Sequence, residues 1–293
     1  PVSANVKSLV WYNPANFKAA GLTVPTTDAE MTALTSKIKS KKLGYPWCIG
    51  IESGGATGWA ATDWMEEYVL RYGGEAQYTA WWKGKLPWSS ATVQKAAKKF
   101  ASVALTAGNV NGGGKAIAAT SFGDTANLFK TDKSKCYMMR QGSFITDFFP
   151  DAIKAAYKAN DFTNVGVFKL PAPAGTTDAV LGGGDLAAAF DDKAATQKVL
   201  NFILSDKLGQ GAMLKTYPSY LSAHKTFPSA GYTNPITKNI AGILATAKLF
   251  GFDGSDLAPA VVNATQWREL TNWISGKKTQ KEAFAAIDAS WNE

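Results

Sequence analysis

The chain has 293 residues, a formal net charge of +8 and 46% hydrophobic residues, which is enough for one large domain or two lobes with a sizeable core. No segment reaches the ~18 consecutive apolar residues of a membrane-spanning helix. No signal peptide is visible at Pro1, so we expect the chain to begin after a removed targeting segment or within a longer protein.

The first predicted elements alternate between strand and helix. Residues 1–13 predict a strand, and a short helix is predicted over 15–20. Thr27 and Glu30 have the spacing of a capping box and predict the start of a second helix, which ends before Pro46. This alternation is typical of α/β proteins.

The stretch from Pro46 to Trp59 (PWCIGIESGGATGW) predicts a buried strand that opens into a Gly/Ser loop. Glu52 ends the strand and Ser53 and Gly54 follow, so a carboxylate, a loop and an indole meet where α/β proteins bind ligands. This combination suits a sugar, because the carboxylate accepts hydroxyl hydrogens and the indole covers the apolar ring face. The alternatives are a solvated Glu52 and a core Trp59. The loop lacks the Gly-Lys-Ser/Thr ending of a phosphate loop.

A second candidate ligand edge follows the next short strand. Residues 136–140 are apolar enough for a buried strand, and the loop after them contains Phe144. Phe144 is either a ligand platform or the first core residue of a helix over 144–159.

A third candidate edge lies in residues 179–190, which predict a strand, a glycine break and a second strand. Gly183 and Gly184 indicate a bulge, a hinge or a close backbone approach. Asp185 is either a polar group at a cleft or the solvated residue of a tight crossover.

The remaining predicted elements are mostly helices. They cover residues 62–72, 90–107, a segment from the Gly112–Gly114 linker to Phe129, 193–205, 207–215, 235–249, 258–276 and 279–292, with a strand over 165–170. Early alternation followed by a helical tail predicts α/β layering. The lysines are scattered along these helices without a basic-aromatic motif, so we predict no nucleic-acid partner.

Two cysteines and one histidine are too few for a Cys/His zinc site. Cys48 and Cys136 each lie in an apolar, strand-like context, and they are either two free core thiols or one disulfide. We predict neither a metal nor a cofactor.

Four stretches, KSLVWYN, PWCIGIESGGATGW, CYMMRQGSF and LGGGDLAAAF, in that order and spacing, resemble extracytoplasmic solute-binding proteins of carbohydrate ABC importers. The resemblance is to the α-glucoside and oligosaccharide binders akin to maltose-binding protein, and it covers essentially the whole chain. The series is specific, although any one stretch alone would be weak. It implies an α/β fold of the periplasmic-binding-protein type II kind, with two lobes that close around sugar.

The resemblance also implies roles for individual residues. The segment from Glu52 to Trp59 would face the sugar, Phe144 would stack on it, and the glycines before Asp185 would lie on a crossing strand. The implied ligand-binding set is Glu52, Ser53, Gly54, Trp59, Phe144, Gly183, Gly184 and Asp185. A disulfide between Cys48 and Cys136 is implied too, since both strands belong to one lobe of an exported protein.

The resemblance divides the chain into residues 10–180 plus 220–293 as the second lobe and residues 1–9 plus 184–218 as a remnant of the first. Family members usually carry a further segment before the KSLVWYN strand, so part of the sugar site is expected to lie outside this chain. We expect a non-enzymatic monomer outside the cytoplasm, periplasmic or anchored as a lipoprotein. It would bind a mono- or oligosaccharide and deliver it to an ABC importer permease.

Two enzymatic interpretations compete with this one. A secreted glycoside hydrolase needs two carboxylates about 5–10 Å apart, which Glu52 with Asp63 or Asp185 could supply. A serine-type enzyme would use His224, but the sequence has no GxSxG nucleophile motif.

Overall fold

Two β-sheets of short strands organise the protein, whose computed structural model describes residues 1–206, 212–224 and 226–292. The strands are β1 (Asn5–Val6), β2 (Leu9–Tyr12), β3 (Tyr45–Trp47), β4 (Cys136–Arg140), β5 (Gly166–Lys169), β6 (Ala179–Gly183) and β7 (Leu249–Phe252). The first sheet has the order β1-β6-β7 and the second the order β3-β4-β2-β5. Strand β2 is antiparallel to β4 and β5, whereas β3–β4 and β6–β7 are parallel pairs.

Helices cover these sheets and give the α/β layering that the sequence predicts. They are α1 (Pro14–Ala19), α2 (Asp28–Ser40), α3 (Trp59–Trp82), α4 (Ala91–Ala104), α5 (Gly113–Ala119), α6 (Ala126–Phe129), α7 (Asp151–Lys158), α8 (Ala194–Ile203), α9 (Ala212–Thr216), α10 (Pro235–Ala245), α11 (Gly254–Leu257), α12 (Ala260–Ser275) and α13 (Gln280–Ala289). Thr27 forms the predicted capping box with Glu30 at the start of α2. None of the helices in the described ranges has both the length and the apolar character needed to cross a bilayer.

The chain passes from one sheet to the other at Lys7 and Ser8, between β1 and β2. The single strand predicted over 1–13 is therefore wrong, and two short strands in different sheets replace it. The amide of Lys7 donates to Leu181 O (2.8 Å), and Ser8 O accepts from the amide of Leu170 (2.9 Å). These two bonds tie the crossing to both sheets.

Several predicted boundaries are wrong for local reasons. The helix predicted over 144–159 is a 3₁₀ turn, Ser143–Phe148, followed by α7, because the ring of Pro150 interrupts the backbone hydrogen-bond ladder. The second strand predicted within 179–190 does not form. The helix predicted over 235–249 ends at Ala245, and β7 follows it.

Three further boundaries differ in part. The helix predicted to stop at Gly73–Gly74 breaks at Gly74 (φ 63°) and then resumes to Trp82. Gly113 and Gly114, predicted as linker, begin α5. The helix predicted over 207–215 is described only from Ala212, and its first five positions lie outside the described residues.

The core is rich in tryptophan and holds the larger sheet against α3. Trp47, Trp64, Trp81 and Trp88 are all at most 2% exposed, so most of the indoles are packing residues as expected. Cys48 and Cys136 form a disulfide with a Cα–Cα distance of 5.4 Å, which confirms the predicted pairing.

Candidate functional site

Three loops meet at the carboxyl edge of the second sheet. They are residues 48–58 after β3, residues 120–125 after α5 and residues 141–148 after β4. Because β3 and β4 are parallel neighbours, the loops that follow them lie at the same edge. Glu52 joins the first two loops: its amide donates into the second loop, and its carbonyl accepts from the amide of Phe122 (3.0 Å).

Aromatic rings from these loops pack into one group. Trp59, the first residue of α3, has its ring centroid 4.9 Å from Phe122 and 5.8 Å from Phe144. Phe148 continues the group at 4.9 Å from Phe122 and remains 46% exposed. The structure therefore brings Trp59 and Phe144 together and adds Phe122 and Phe148, which were not predicted from the sequence.

The Ser53-Gly54 segment is a closed turn rather than an open loop. The hydroxyl of Thr57 accepts from the amide of Ser53 (2.9 Å) and donates to Gly54 O (2.7 Å). The amide of Gly54 donates to Oε1 of Glu52 (2.7 Å), so this carboxylate holds the turn. Gly58 lets the turn approach α12, where a Cβ would lie 2.2 Å from Trp267 O.

Gly183, Gly184 and Asp185 lie at the end of β6 in the other sheet. Asp185 accepts a hydrogen bond from the hydroxyl of Ser3, and its carbonyl accepts from the amide of Val2 (2.8 Å). Within the described ranges, neither a hydrogen bond nor a ring contact joins this group directly to Glu52, Trp59 or Phe144. The predicted site residues thus form two groups.

Lys7, at the crossing between the sheets, lies between the two groups. Its Nζ is 5.4 Å from the centroid of the Trp59 ring, and its Cε is 3.9 Å from the position of a Cβ on Gly183. The ammonium donates to Asp63 Oδ1 (2.8 Å) on α3 and to Asp253 Oδ2 (2.5 Å) after β7. Lys7 is 8% exposed and therefore fixes the crossing to both elements from inside the protein.

A second buried ion-pair group adjoins the first on α3. Glu67 accepts from the hydroxyl of Ser8 (2.8 Å), and it pairs with Arg71 (2.7 Å) and Arg140 (2.9 Å). Arg140 also lies 3.6 Å from Asp63 Oδ2, so the two groups are continuous. Arginine from β4 thereby ties the sheet to the helix that begins with Trp59.

Glu66 anchors α11 from the same helix face. Its carboxylate accepts from the amides of Gly254 (2.9 Å) and Ser255 (3.2 Å). Carboxylate oxygens of Asp63, Glu66 and Asp253 lie within 4.8 Å of one another, an arrangement that could hold a cation. The ammonium of Lys7 already bonds two of the three and supplies that positive charge.

The buried cluster holds more acids than bases. Its members are at most 8% exposed and are the acids Asp63, Glu66, Glu67 and Asp253 and the bases Lys7, Arg71 and Arg140. An unbalanced charge in the interior is costly, so one carboxyl keeps its proton. Burial raises the pKa of Glu66 well above its usual value, and the neighbouring Asp253 and Asp63 raise it further.

The pKa shifts of the other cluster members depend on their ion-pair partners. Burial raises the pKa of Asp63 to about 6, although Lys7 and Arg140 oppose it. Burial alone would raise the pKa of Glu67, but the positive charges of Arg71 and Arg140 outweigh this effect and lower its pKa. Burial alone would lower the pKa of Lys7, and the carboxylates of Asp63 and Asp253 reverse this and raise it.

The raised pKa of Asp63 predicts a pH dependence of stability. Between its ordinary value of 3.8 and the folded value of about 6, the folded protein binds a proton that the unfolded chain releases. The stabilisation is complete below the first value and is lost as pH rises through the second. We expect the free energy of unfolding in urea to fall by at least about 1 kcal/mol between about pH 5 and 7, because the raised pKa of Glu66 acts in the same direction.

The Asp63→Asn variant should reduce this decline to the part that the raised pKa of Glu66 causes, whereas Asp185→Asn, at an exposed carboxyl, should leave it unchanged. Carboxylates with lowered pKa, such as Glu67, change the free energy of unfolding mainly below about pH 5. They therefore do not mask the decline between about pH 5 and 7. A free energy that is constant or rises over this window in the unmodified chain would contradict the prediction.

The geometry does not support the enzymatic alternatives. Asp63 is 1% exposed and bound to Lys7, so it does not form an open carboxylate pair with Glu52, and Asp185 already accepts a hydrogen bond from Ser3 after β6 of the other sheet. His224 Nδ1 is hydrogen-bonded to the hydroxyl of Thr226 (2.9 Å). These contacts are those of structural residues.

The charged cluster was not predicted, although the sequence contains a signal for it. Acids at positions 63, 66 and 67 and arginine at 71 have the i, i+3, i+4 spacing of one helix face, and the apolar residues of the same helix are buried too. A helix that is buried all round must pair its charges inside the protein.

Comparisons with known proteins agree with the family resemblance seen in the sequence. The family described as bacterial extracellular solute-binding protein matches residues 1–210. The alpha-glucosides-binding periplasmic protein AglE of Rhizobium meliloti (strain 1021) is 37% identical over 293 residues, which are 100% of this chain and 62% of the relative. The osmoprotective compounds-binding protein GgtB of Synechocystis sp. is 34% identical over 98% of this chain and 66% of its own length.

A solved chitin oligosaccharide binding protein has the same fold. It superposes with a TM-score of 0.76 at 20% identity, covering 99% of this chain and 70% of that one. The chain therefore spans about two thirds of the length of the proteins it matches.

Proposed function

The chain belongs to the bacterial extracellular solute-binding protein family, and we propose that it forms the larger part of a sugar receptor. The receptor acts outside the cytoplasm and delivers a mono- or oligosaccharide to an ABC importer permease without chemical change. The observation that carries this proposal is the aromatic group of Trp59, Phe122 and Phe144 beside Glu52 at one sheet edge. The similarity to an α-glucoside-binding relative supports a sugar as the ligand.

The residues at this edge have complementary roles toward a sugar. One pyranose ring stacks on Trp59 or Phe144, whose rings are half-buried and so keep part of a face for a ligand. Hydroxyl groups bond to the carboxylates of Glu52 and Asp185 and to the backbone of the Gly183-Gly184 segment. The Ser53-Gly54 turn, whose amides donate to Thr57 and Glu52, holds the Glu52 carboxylate in place for the sugar. Lys7 lies behind the Trp59 ring and between the two groups, so it would hold them at a fixed separation.

We further propose that a first lobe completes the site. Residues 10–180 plus 220–293 form the second lobe, and 1–9 plus 184–218 are a remnant of the first. Helix α8 has no buried residue, and Val199 and Phe202 on it are 58% and 55% exposed. An amphipathic helix left open in this way is expected to pack against further chain. The relative AglE extends beyond the part that this chain covers, and segments that cross between the lobes would serve as hinges.

The expected oligomeric state is a monomer, because a closing two-lobed receptor buries its ligand within one chain. A lipid anchor or a free periplasmic form would both place the receptor next to the permease.

Removal of the stacking rings tests the proposal. In the full-length protein, Trp59→Ala and Phe144→Ala should each weaken the sugar that a thermal-shift screen identifies by about 10- to 100-fold, measured by isothermal calorimetry. Trp82→Ala is the matched control, because Trp82 is a half-buried indole at the other end of α3. It should leave the affinity unchanged.

The outcomes separate the hypotheses. Unchanged affinity in both ring variants would reject the stacking assignment, and a screen in which no mono- or oligosaccharide binds would reject the receptor. Release of glucose from an α-glucoside would favour the hydrolase, and we expect none.

A further inference from the structure

Seven lysines gather at the end of the second sheet that is opposite to the aromatic group. This surface, here termed the basic end, comprises Lys37, Lys39, Lys41, Lys42, Lys130, Lys133 and Lys135. The first four lie at or after the last turn of α2, and the others lie in the segment before β4. A shallow open hollow of about 270 Å³ is lined by Lys39, Lys42 and Lys133 together, so both segments share one surface.

The positive charge of the basic end is not balanced locally. In the described parts of the chain, none of its lysines forms an ion pair with a carboxylate. Lys37 and Lys135 donate to backbone carbonyls of Gly21 and Thr131. Asp132 is the acid within the segment, and its carboxylate accepts from the amide and hydroxyl of Ser134. Seven positive charges less one give +6, out of a net +8 for the whole chain.

The position of the basic end follows from the strand directions. Strands β3 and β4 are parallel, and the lysines precede both of them, whereas Glu52, Trp59 and Phe144 follow them. The basic end is therefore at the amino edge of the sheet and the candidate sugar site is at the carboxyl edge. A partner that binds the basic end therefore leaves the candidate sugar site free.

We propose that the basic end binds the anionic phospholipid surface of a membrane. All of its charges are lysine, whose flexible ammonium groups suit a mobile layer of headgroup phosphates more than the planar, bidentate fork of arginine does. The hollow is open and no buried donor lines it, which is unlike a pocket for one fixed phosphate. Clusters of four to eight basic residues are typical of binding to anionic lipids.

Vesicle flotation tests the proposal with a matched pair of variants of the full-length protein. The first variant is Lys41→Glu, Lys42→Glu and Lys133→Glu; the control is Lys98→Glu, Lys277→Glu and Lys281→Glu, which are also exposed and without a carboxylate partner in the structure as described. Both variants change the net charge equally. Binding to phosphatidylcholine vesicles with about 30% phosphatidylglycerol should weaken roughly 100-fold in the first variant and less than about threefold in the control.

Unmodified protein should also lose most of its binding when salt is raised from about 0.05 to 0.5 M, and it should not bind pure phosphatidylcholine. The proposal is overturned if anionic vesicles do not bind, if both variants lose binding equally, or if neutral vesicles bind as well. If the basic end binds an acidic protein rather than lipid, the protein will not bind anionic vesicles. Sugar affinity, measured on the same samples, should be equal in all three proteins.

Discussion

Replacement of Lys7 by methionine is expected to lower the free energy of unfolding by about 3–5 kcal/mol at pH 7. Lys7 Nζ forms ion pairs with both Asp63 (2.8 Å) and Asp253 (2.5 Å), and the side chains of the two aspartates are at most 4% exposed. Methionine keeps most of the packing volume but leaves two carboxylates together in the interior without their cation. The loss is therefore electrostatic and should be visible in urea denaturation followed by tryptophan fluorescence.

Lys169→Met is the control for this substitution. Lys169 pairs with Asp178, and the two side chains are 25% and 55% exposed, so removal of the lysine should cost less than about 1 kcal/mol. The double variant Lys7→Met, Asp63→Asn should recover part of the stability, because it removes one of the stranded charges. A Lys7→Met protein that is as stable as the Lys169→Met protein would show that the cluster is not a structural ion pair.

The carboxyl edge of the larger sheet could be predicted because its signals are local. The turn and the indole lie where the glycine pattern predicts them, but the predicted strand ending at Glu52 is wrong. Strand β3 ends at Trp47, and Glu52 forms only an isolated bridge with Ser121. Trp59 and Phe144 were predicted at two separate ligand edges, and the parallel pairing of β3 with β4 brings their rings together. Phe122 was missed because its segment enters this edge through an isolated β-bridge at Glu52, without a strand pattern.

The interior of the site could not be predicted in the same way. Lys7 stands between Val6 and Ser8 in a predicted strand, where a lysine is usually solvent-facing, and only the change of sheet at this residue buries it. Asp253 follows β7, and β7 pairs with β6 about seventy residues earlier in the chain. Apolar runs of four residues do not distinguish a strand from the end of a helix. The burial of Lys7 and the position of Asp253 therefore depend on pairing between strands that are far apart in the sequence.

The disulfide is the second feature with a large expected effect. It closes a sequence separation of 88 residues between the loop after β3 and the start of β4. In the chain-entropy account, cross-links over loops of this length stabilise the folded state by about 3–5 kcal/mol. We expect the Cys48→Ala, Cys136→Ala variant to lose about this much free energy of unfolding, and reduction of the unmodified protein to have a similar effect.

The measurement is urea denaturation with and without reductant, with alkylation and intact mass to confirm the redox state. The double variant itself is the control, since reductant should not change its stability. Cys48 joins β3 to the loop that carries Glu52, so the variant should also bind sugar more weakly than the unmodified protein at a urea concentration where both remain folded. If reductant leaves the stability of the unmodified protein unchanged while both thiols become alkylated, the disulfide does not contribute to the stability of this edge.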